Sequence, residues 1–147
     1  MTTSDTLLLV EDNEGDEALT LRALKKHNIP NPIVVAHDGA EALVTLFAAG
    51  GHFEHELPRL VLLDLNLPKI GGLEVLTSIR AHARTRCLPV VILTSSAEER
   101  DIERGYELGA NSYVVKPVDF VQFSDVVRQV GTYWLSLNER DPTAKRG

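Results

Sequence analysis

One cysteine, Cys87, is all the thiol chemistry this chain possesses, so no disulfide can close within it, and it reads as a buried thiol. No apolar run approaches the roughly 20 residues that a membrane-spanning helix needs, which argues against a membrane protein. Basic clusters are also missing, and the formal charge is -6, which argues against a nucleic-acid surface working by counterion release. The opening Met1-Thr2-Thr3-Ser4-Asp5 has no basic-then-apolar signal character, and a cytoplasmic location is expected. Neither an internal repeat nor a low-complexity segment is present. What remains is ordinary in bulk: 147 residues, 44% hydrophobic and 24% charged, suit one globular domain with its own core.

Against that plain background, four apolar runs end in chemistry. Leu60-Val61-Leu62-Leu63 terminates in Asp64 and breaks at Asn66-Leu67-Pro68. Thr6-Leu7-Leu8-Leu9-Val10 terminates in Glu11-Asp12, Pro89-Val90-Val91-Ile92-Leu93 in Thr94-Ser95-Ser96, and Ser112-Tyr113-Val114-Val115 in Lys116-Pro117. Short apolar runs bounded by polar and turn residues read as strands buried on both faces. Ile33-Val34-Val35-Ala36 is a fifth strand.

Helical spacing fills the intervals. Glu14 to His27 has acids early (Glu14, Asp16, Glu17) and bases late (Lys25, Lys26), as the helix dipole favours, and Asn28 and Pro30 end it. Further helices follow Asp38-Gly39 and Gly71-Gly72, span Glu98 to Leu108, and start at the N-cap Asp119. Five strands alternating with five helices predict an α/β three-layer sandwich whose parallel strands share one carboxyl edge. Ligands of open parallel sheets sit at that edge.

Glu11, Asp12 and Asp64 would converge there and repel one another unless a cation joins them. Hard oxygen ligands with open positions suit Mg²⁺. Lys116 can grip a phosphoryl oxygen, the Thr94 hydroxyl can bond another, and a carboxylate so placed can act as the nucleophile for an aspartyl phosphate. Each residue also has a plainer reading. Glu11-Asp12 could serve only a helix dipole, Lys116 could be a solvated strand end, and Thr94 could be a cap. Together, four strand ends with complementary chemistry favour a metal-assisted phosphoacceptor site.

These motifs resemble the receiver domain of two-component response regulators. They are Val10-Glu11-Asp12-Asn13, Leu62-Leu63-Asp64-Leu65-Asn66-Leu67-Pro68, Leu93-Thr94-Ser95-Ser96 and Lys116-Pro117, with Asp12, Asp64, Thr94 and Lys116 separated by 52, 30 and 22 residues. The resemblance covers about Leu7 to Val130 and implies a flavodoxin-like sandwich with sheet order 2-1-3-4-5. By that resemblance Asp64 is the phosphoacceptor. Asp12 and Asp64 ligate Mg²⁺, with Glu11 helping through water and Asn66 through its carbonyl. Lys116 binds the phosphoryl group, and its peptide bond to Pro117 is expected to be cis. Thr94 and Tyr113 match the switch pair, in which Thr94 moves to the phosphate and Tyr113 rotates inward. Asn66 and Ser96 occupy the positions that tune phosphate loss, and Leu67 replaces a common methionine at little cost.

The last helix carries Phe120, Phe123, Val126, Val127, Val130, Tyr133, Trp134 and Leu137, more apolar circumference than one buried stripe needs. Phe123, Val127 and Val130 are expected in the core. Tyr133 and Trp134 either fold back or join a partner, and a homodimer contact is expected. The ending Tyr133-Trp134-Leu135 also resembles single-domain regulators of bacterial phytochrome kinases. That family implies a sensor histidine kinase as phosphodonor and a homodimer through the fourth helix, fifth strand and fifth helix. The expected organisation is a receiver over 6–137 with an extended last helix and a disordered tail over 138–147. About 20 residues beyond the receiver core leave no room for an output domain, so output is expected by protein contact, phosphorelay or phosphate storage.

Rival readings are weaker. An aspartate-nucleophile phosphatase needs a second acid two residues after Asp64, where Asn66 stands. In a flavin-binding protein, Glu11-Asp12 would repel the phosphate. A degenerate receiver acting only as a binding module would not keep these acids with Lys116. His52 and His55 lie in a loop without ligand-spaced partners, and Gly71-Gly72 lacks the Walker lysine-hydroxyl pair. No metabolic enzyme activity is expected beyond slow self-dephosphorylation.

Overall fold

A computed structural model describes residues 2–142. Strands β1 (Leu7–Val10), β2 (Ile33–Ala36), β3 (Leu60–Leu63), β4 (Val90–Thr94) and β5 (Ser112–Val115) form one parallel sheet. Its order in these labels is 2-1-3-4-5, as expected from the sequence. Helices α1 (Glu14–Lys26), α2 (Gly39–Phe47), α3 (Gly72–Ala81), α4 (Glu99–Glu107) and α5 (Phe120–Thr132) alternate with the strands. Two further strands, Thr2–Thr3 and Glu56–Leu57, pair in parallel as a separate small sheet. Neither has enough apolar residues to stand out in the sequence.

Alternation of side chains along the strands divides the core in two. Leu8, Val10, Val61, Leu63, Val90 and Ile92 pack on the face covered by α2 and α3. Leu7, Leu9, Leu60, Leu62, Val91 and Leu93 meet Ala23 and Leu24 of α1 and Phe123, Val127 and Val130 of α5. Burial on both faces is why these strands are continuous apolar runs.

Caps set where the helices begin. Asn13 accepts a hydrogen bond from the Asp16 N–H at 2.9 Å, Asp38 from the Glu41 N–H at 2.7 Å, and Asp119 from the Gln122 N–H at 3.0 Å. Beyond α5 the chain winds into a π-helical turn over Tyr133–Leu137. That wider turn changes which side faces inward: Leu135 is buried, while Tyr133 and Leu137 are exposed. Phe120 is exposed as well, unlike the core residues of its helix.

The peptide bonds of the described residues are trans, Lys116–Pro117 included, which corrects the cis expectation. The X–Pro isomers differ intrinsically by only about 0.5–1 kcal/mol, so local chemistry does not select one. Of the expected tail, 143–147 lie outside the described residues, whereas Arg140 hydrogen-bonds and ion-pairs with Asp5.

Candidate phosphoacceptor site

The sheet continues its hydrogen bonding one residue past the strands, and this fixes the functional residues against each other. The Glu11 N–H donates to Ala36 O at 3.0 Å, the Asp64 N–H to Val10 O at 3.1 Å, and the Lys116 N–H to Thr94 O at 2.8 Å. Helix α3 then comes down on the same edge. Gly72 donates its N–H to Leu65 O, and a Cβ on Gly72 would stand 2.3 Å from the Asp64 carbonyl oxygen. Gly72 is therefore a close-approach glycine, whereas a Cβ on Gly71 would meet open space.

Both oxygens of Asp64 are held. Oδ1 accepts from Thr94 Oγ1 at 2.8 Å and from the Asn66 N–H at 3.2 Å, and Oδ2 accepts from Lys116 Nζ at 2.9 Å. Lys116 Nζ also donates to Glu11 Oε2 at 2.7 Å and to Asp16 Oδ2 at 2.9 Å. The side chains of Lys116, Glu11 and Asp64 are only 6%, 3% and 7% exposed. Lys116 is thus a buried, triply bonded cation rather than a mobile surface charge. Ligand oxygens of Glu11, Asp12 and Asp64 lie within 4.8 Å of one another, close enough to share one metal ion.

Four carboxylates face one ammonium here, and the electrostatics follow. Burial pushes the Glu11 carboxyl up to about 7, with its bond to Lys116 pulling against that rise. Burial also acts to raise Asp64, but Lys116 and the Thr94 hydroxyl outweigh it and hold the carboxyl below its usual value. For Lys116, burial disfavours the charge, yet bonds to Glu11, Asp16 and Asp64 more than compensate and raise its pKa. A hard cation among Glu11, Asp12 and Asp64 would relieve the uncompensated charge, so the donor set fits a divalent metal.

Every residue expected at the site reaches this edge or its immediate surround. Asp12 and Asn66 line the open cleft with Ser95. Tyr113 lies one layer back, half-buried, with its hydroxyl donating to Ser96 O at 2.9 Å. Ser96, expected to flank the site, donates its hydroxyl to Asp101 of α4. His52 and His55 stay apart from the cleft lining, and His37 pairs with Glu17 at 2.9 Å. Asp16 was not expected at the site. Its place in the first turn of α1 makes it look like a helix-dipole acid, and its sequence signal is only that it falls one helical turn after Asp12.

The family model for the response regulator receiver domain matches residues 7–128. The probable methanogenesis regulatory protein FilR2 of Methanothrix harundinacea is 41% identical over 134 residues, covering 90% of this chain and 84% of its own. Response regulator Rcp1 of Synechocystis is 36% identical over 129 residues, 88% of each chain. The Mn²⁺-bound form of Rcp1 superposes with a TM-score of 0.85 over 92% of this chain and 98% of that one, at 35% identity. The phosphorylated cyanobacterial phytochrome response regulator RcpA gives 0.87 over 94% and 99%, at 36% identity.

Proposed function

This chain belongs to the response regulator receiver family, and on that premise we propose that Asp64 accepts a phosphoryl group from a sensor histidine kinase, with Mg²⁺ in the acidic cluster. The observation that carries the reading is the hold on Asp64, with Thr94 on one oxygen and Lys116 on the other, beside Glu11 and Asp12. In the transfer, a carboxylate oxygen attacks phosphorus and the bond from phosphorus to the donor nitrogen breaks. The leaving imidazole keeps that electron pair. Glu11, Asp12, Asp64 and the Asn66 carbonyl would hold the metal, which supplies neutralisation of the charge gathered on carboxylate and phosphoryl oxygens. Lys116 and Thr94 are placed to donate to those oxygens, while Thr94 and Tyr113 carry the change outward.

Receiver domains are generally signalling modules without metabolic activity. The described residues contain no helix long and apolar enough to cross a membrane. The finer reading is a cytoplasmic, single-domain regulator over 6–137 that loses its phosphate slowly and signals by protein contact or phosphorelay, without nucleic acid. RcpA supports a phytochrome-type kinase as donor. Exposed Tyr106, Val115 and Tyr133, with the half-buried Trp134, support a homodimer through α4, β5 and α5.

Acetyl phosphate with Mg²⁺ should label the wild type and leave Asp64→Asn unlabelled. Equal labelling of the variant would remove Asp64 from its role. Steady turnover of phosphate esters would instead favour the phosphatase.

A further inference from the structure

The one residue that α4 buries has no side chain. It is Gly105, and a Cβ there would stand 2.9 Å from Ile92 Cδ1, 3.2 Å from Tyr113 Cδ2 and 3.6 Å from Tyr113 Cε2. The edge of the Tyr113 ring therefore lies in a slot that glycine leaves open beneath the helix. Glycine is a poor former of helix interiors, so the slot exists at a cost in local propensity. Ile92 presents the mobile end of a side chain and can turn aside, whereas Tyr113 is anchored at both ends. Its backbone N–H donates to the Tyr106 hydroxyl at 3.2 Å, and its own hydroxyl donates to Ser96 O at 2.9 Å.

The bond to Ser96 leads back to the acceptor. Thr94, two residues earlier, donates to Asp64 Oδ1 at 2.8 Å, and Ser95 between them lines the cleft with Asp64 and Lys116. A ring seated in the slot fixes Ser96 and, through it, this wall of the cleft. A side chain at position 105 would push against the ring, break its bond to Ser96 O and loosen the chain on which Ser95 and Thr94 stand. Resting on the receiver reading, we propose that Gly105 is a positioning residue for the phosphoryl group on Asp64, acting through the seat it leaves for Tyr113. The pair Thr94 and Tyr113 thus depends on a third residue, which belongs to α4 and touches neither the metal cluster nor the acceptor.

Beryllofluoride, a phosphoryl mimic, tests this on the full chain with saturating Mg²⁺. Gly105→Val fills the slot and should weaken binding roughly three- to tenfold, as when the seated conformer falls to about a third or a tenth of the population. Gly105→Ala asks the ring to yield by less and should weaken binding about two- to threefold, which keeps the comparison available if the valine variant unfolds. General damage to α4 would weaken binding whatever stands at position 113, so the deciding measurement removes the ring. In a Tyr113→Ala background the slot is empty, and adding either substitution at Gly105 should cost less than about a further 1.5-fold. A loss as large without the ring as with it, or no loss in either single variant, would overturn the role of Gly105. Failure of the wild type to bind beryllofluoride would overturn the receiver reading itself.

Discussion

Gly72 packs on Asp64 through their backbones: a Cβ at position 72 would stand 2.3 Å from the Asp64 carbonyl oxygen and 2.6 Å from Leu65 Cα. Neither atom belongs to a flexible side chain, so the strand end itself would have to move. Gly72→Ala should destabilise the fold by about 1–3 kcal/mol, the usual cost of overpacking a tight contact. It should also lower Asp64 labelling although no charged group has changed. Urea unfolding and acetyl phosphate labelling measure the two effects, and a neutral outcome in both would show that the edge can relax.

Asp12 is the exposed member of the acidic cluster, so it separates metal binding from folding. Mg²⁺ at a hundredfold excess over its dissociation constant should stabilise the wild type by about 2.7 kcal/mol. Asp12→Asn should be at least as stable as the wild type without metal, because one of four crowded carboxylates has gone. Its added Mg²⁺ should then do little. Thermal melts with and without Mg²⁺ decide this, and a full Mg²⁺ effect in Asp12→Asn would take Asp12 out of the metal site.

Ser96 and Tyr113 tie α4 to the site through Asp101. Ser96 Oγ donates to the Asp101 carboxylate, the Tyr113 hydroxyl to Ser96 O, and the Tyr113 N–H to the Tyr106 hydroxyl. Gly105 is the buried residue of α4, so few apolar contacts back up these bonds. Asp101→Ala should speed amide exchange across Glu99–Glu107 by about tenfold, corresponding to the net worth of one hydrogen bond. Asp101→Asn keeps an acceptor and should retain most of the protection. Identical exchange in Asp101→Ala and the wild type would show that the tie does not hold the helix.

Trp134 and Tyr133 lie edge to face, with ring centroids 5.0 Å apart at 85°. Trp134 packs against the α1–α5 side of the core, while Tyr133 is exposed. The two should therefore separate folding from association. Trp134→Ala should lower both stability and self-association, and Tyr133→Ala self-association alone. Sedimentation equilibrium reporting the wild-type oligomer for both variants would refute the dimer face.

Asp38 offers a pH dependence away from the cleft. Its bond from the Glu41 N–H, helped by Lys69, holds its carboxyl below the usual value. A depressed carboxyl contributes stability above the ordinary carboxylate range and loses it as the pH falls through the folded-state value. Asp38→Asn keeps a capping side chain and should flatten this part of the acid limb, whereas Asp38→Ala should lose the cap at every pH. Acid unfolding curves that superpose for wild type and Asp38→Asn would show that the cap is not linked to protons.

The apolar runs of β1, β3 and β4, together with the residues that end them, were readable without coordinates. A buried parallel strand must be apolar along its length, and any polar residue at its end must then be at the sheet's edge. The Asp119 cap was similarly local, reaching a backbone N–H three residues on. Such patterns determined the fold class, the strand order through the family resemblance, and the residues at the edge.

Tertiary structure decided how those residues are connected. Asp16 and Lys116 are 100 positions apart and meet only because α1 starts, and β5 ends, at the same sheet edge. Ser96 turns to Asp101 instead of the cleft because α4 presents a carboxylate there. Leu135, rather than Leu137, reaches the core because the helix widens to a π turn beyond Thr132. Spacing along a chain reports which face or edge a residue occupies. Which partner it finds there is settled by side chains from distant segments competing for the same donors and the same buried space.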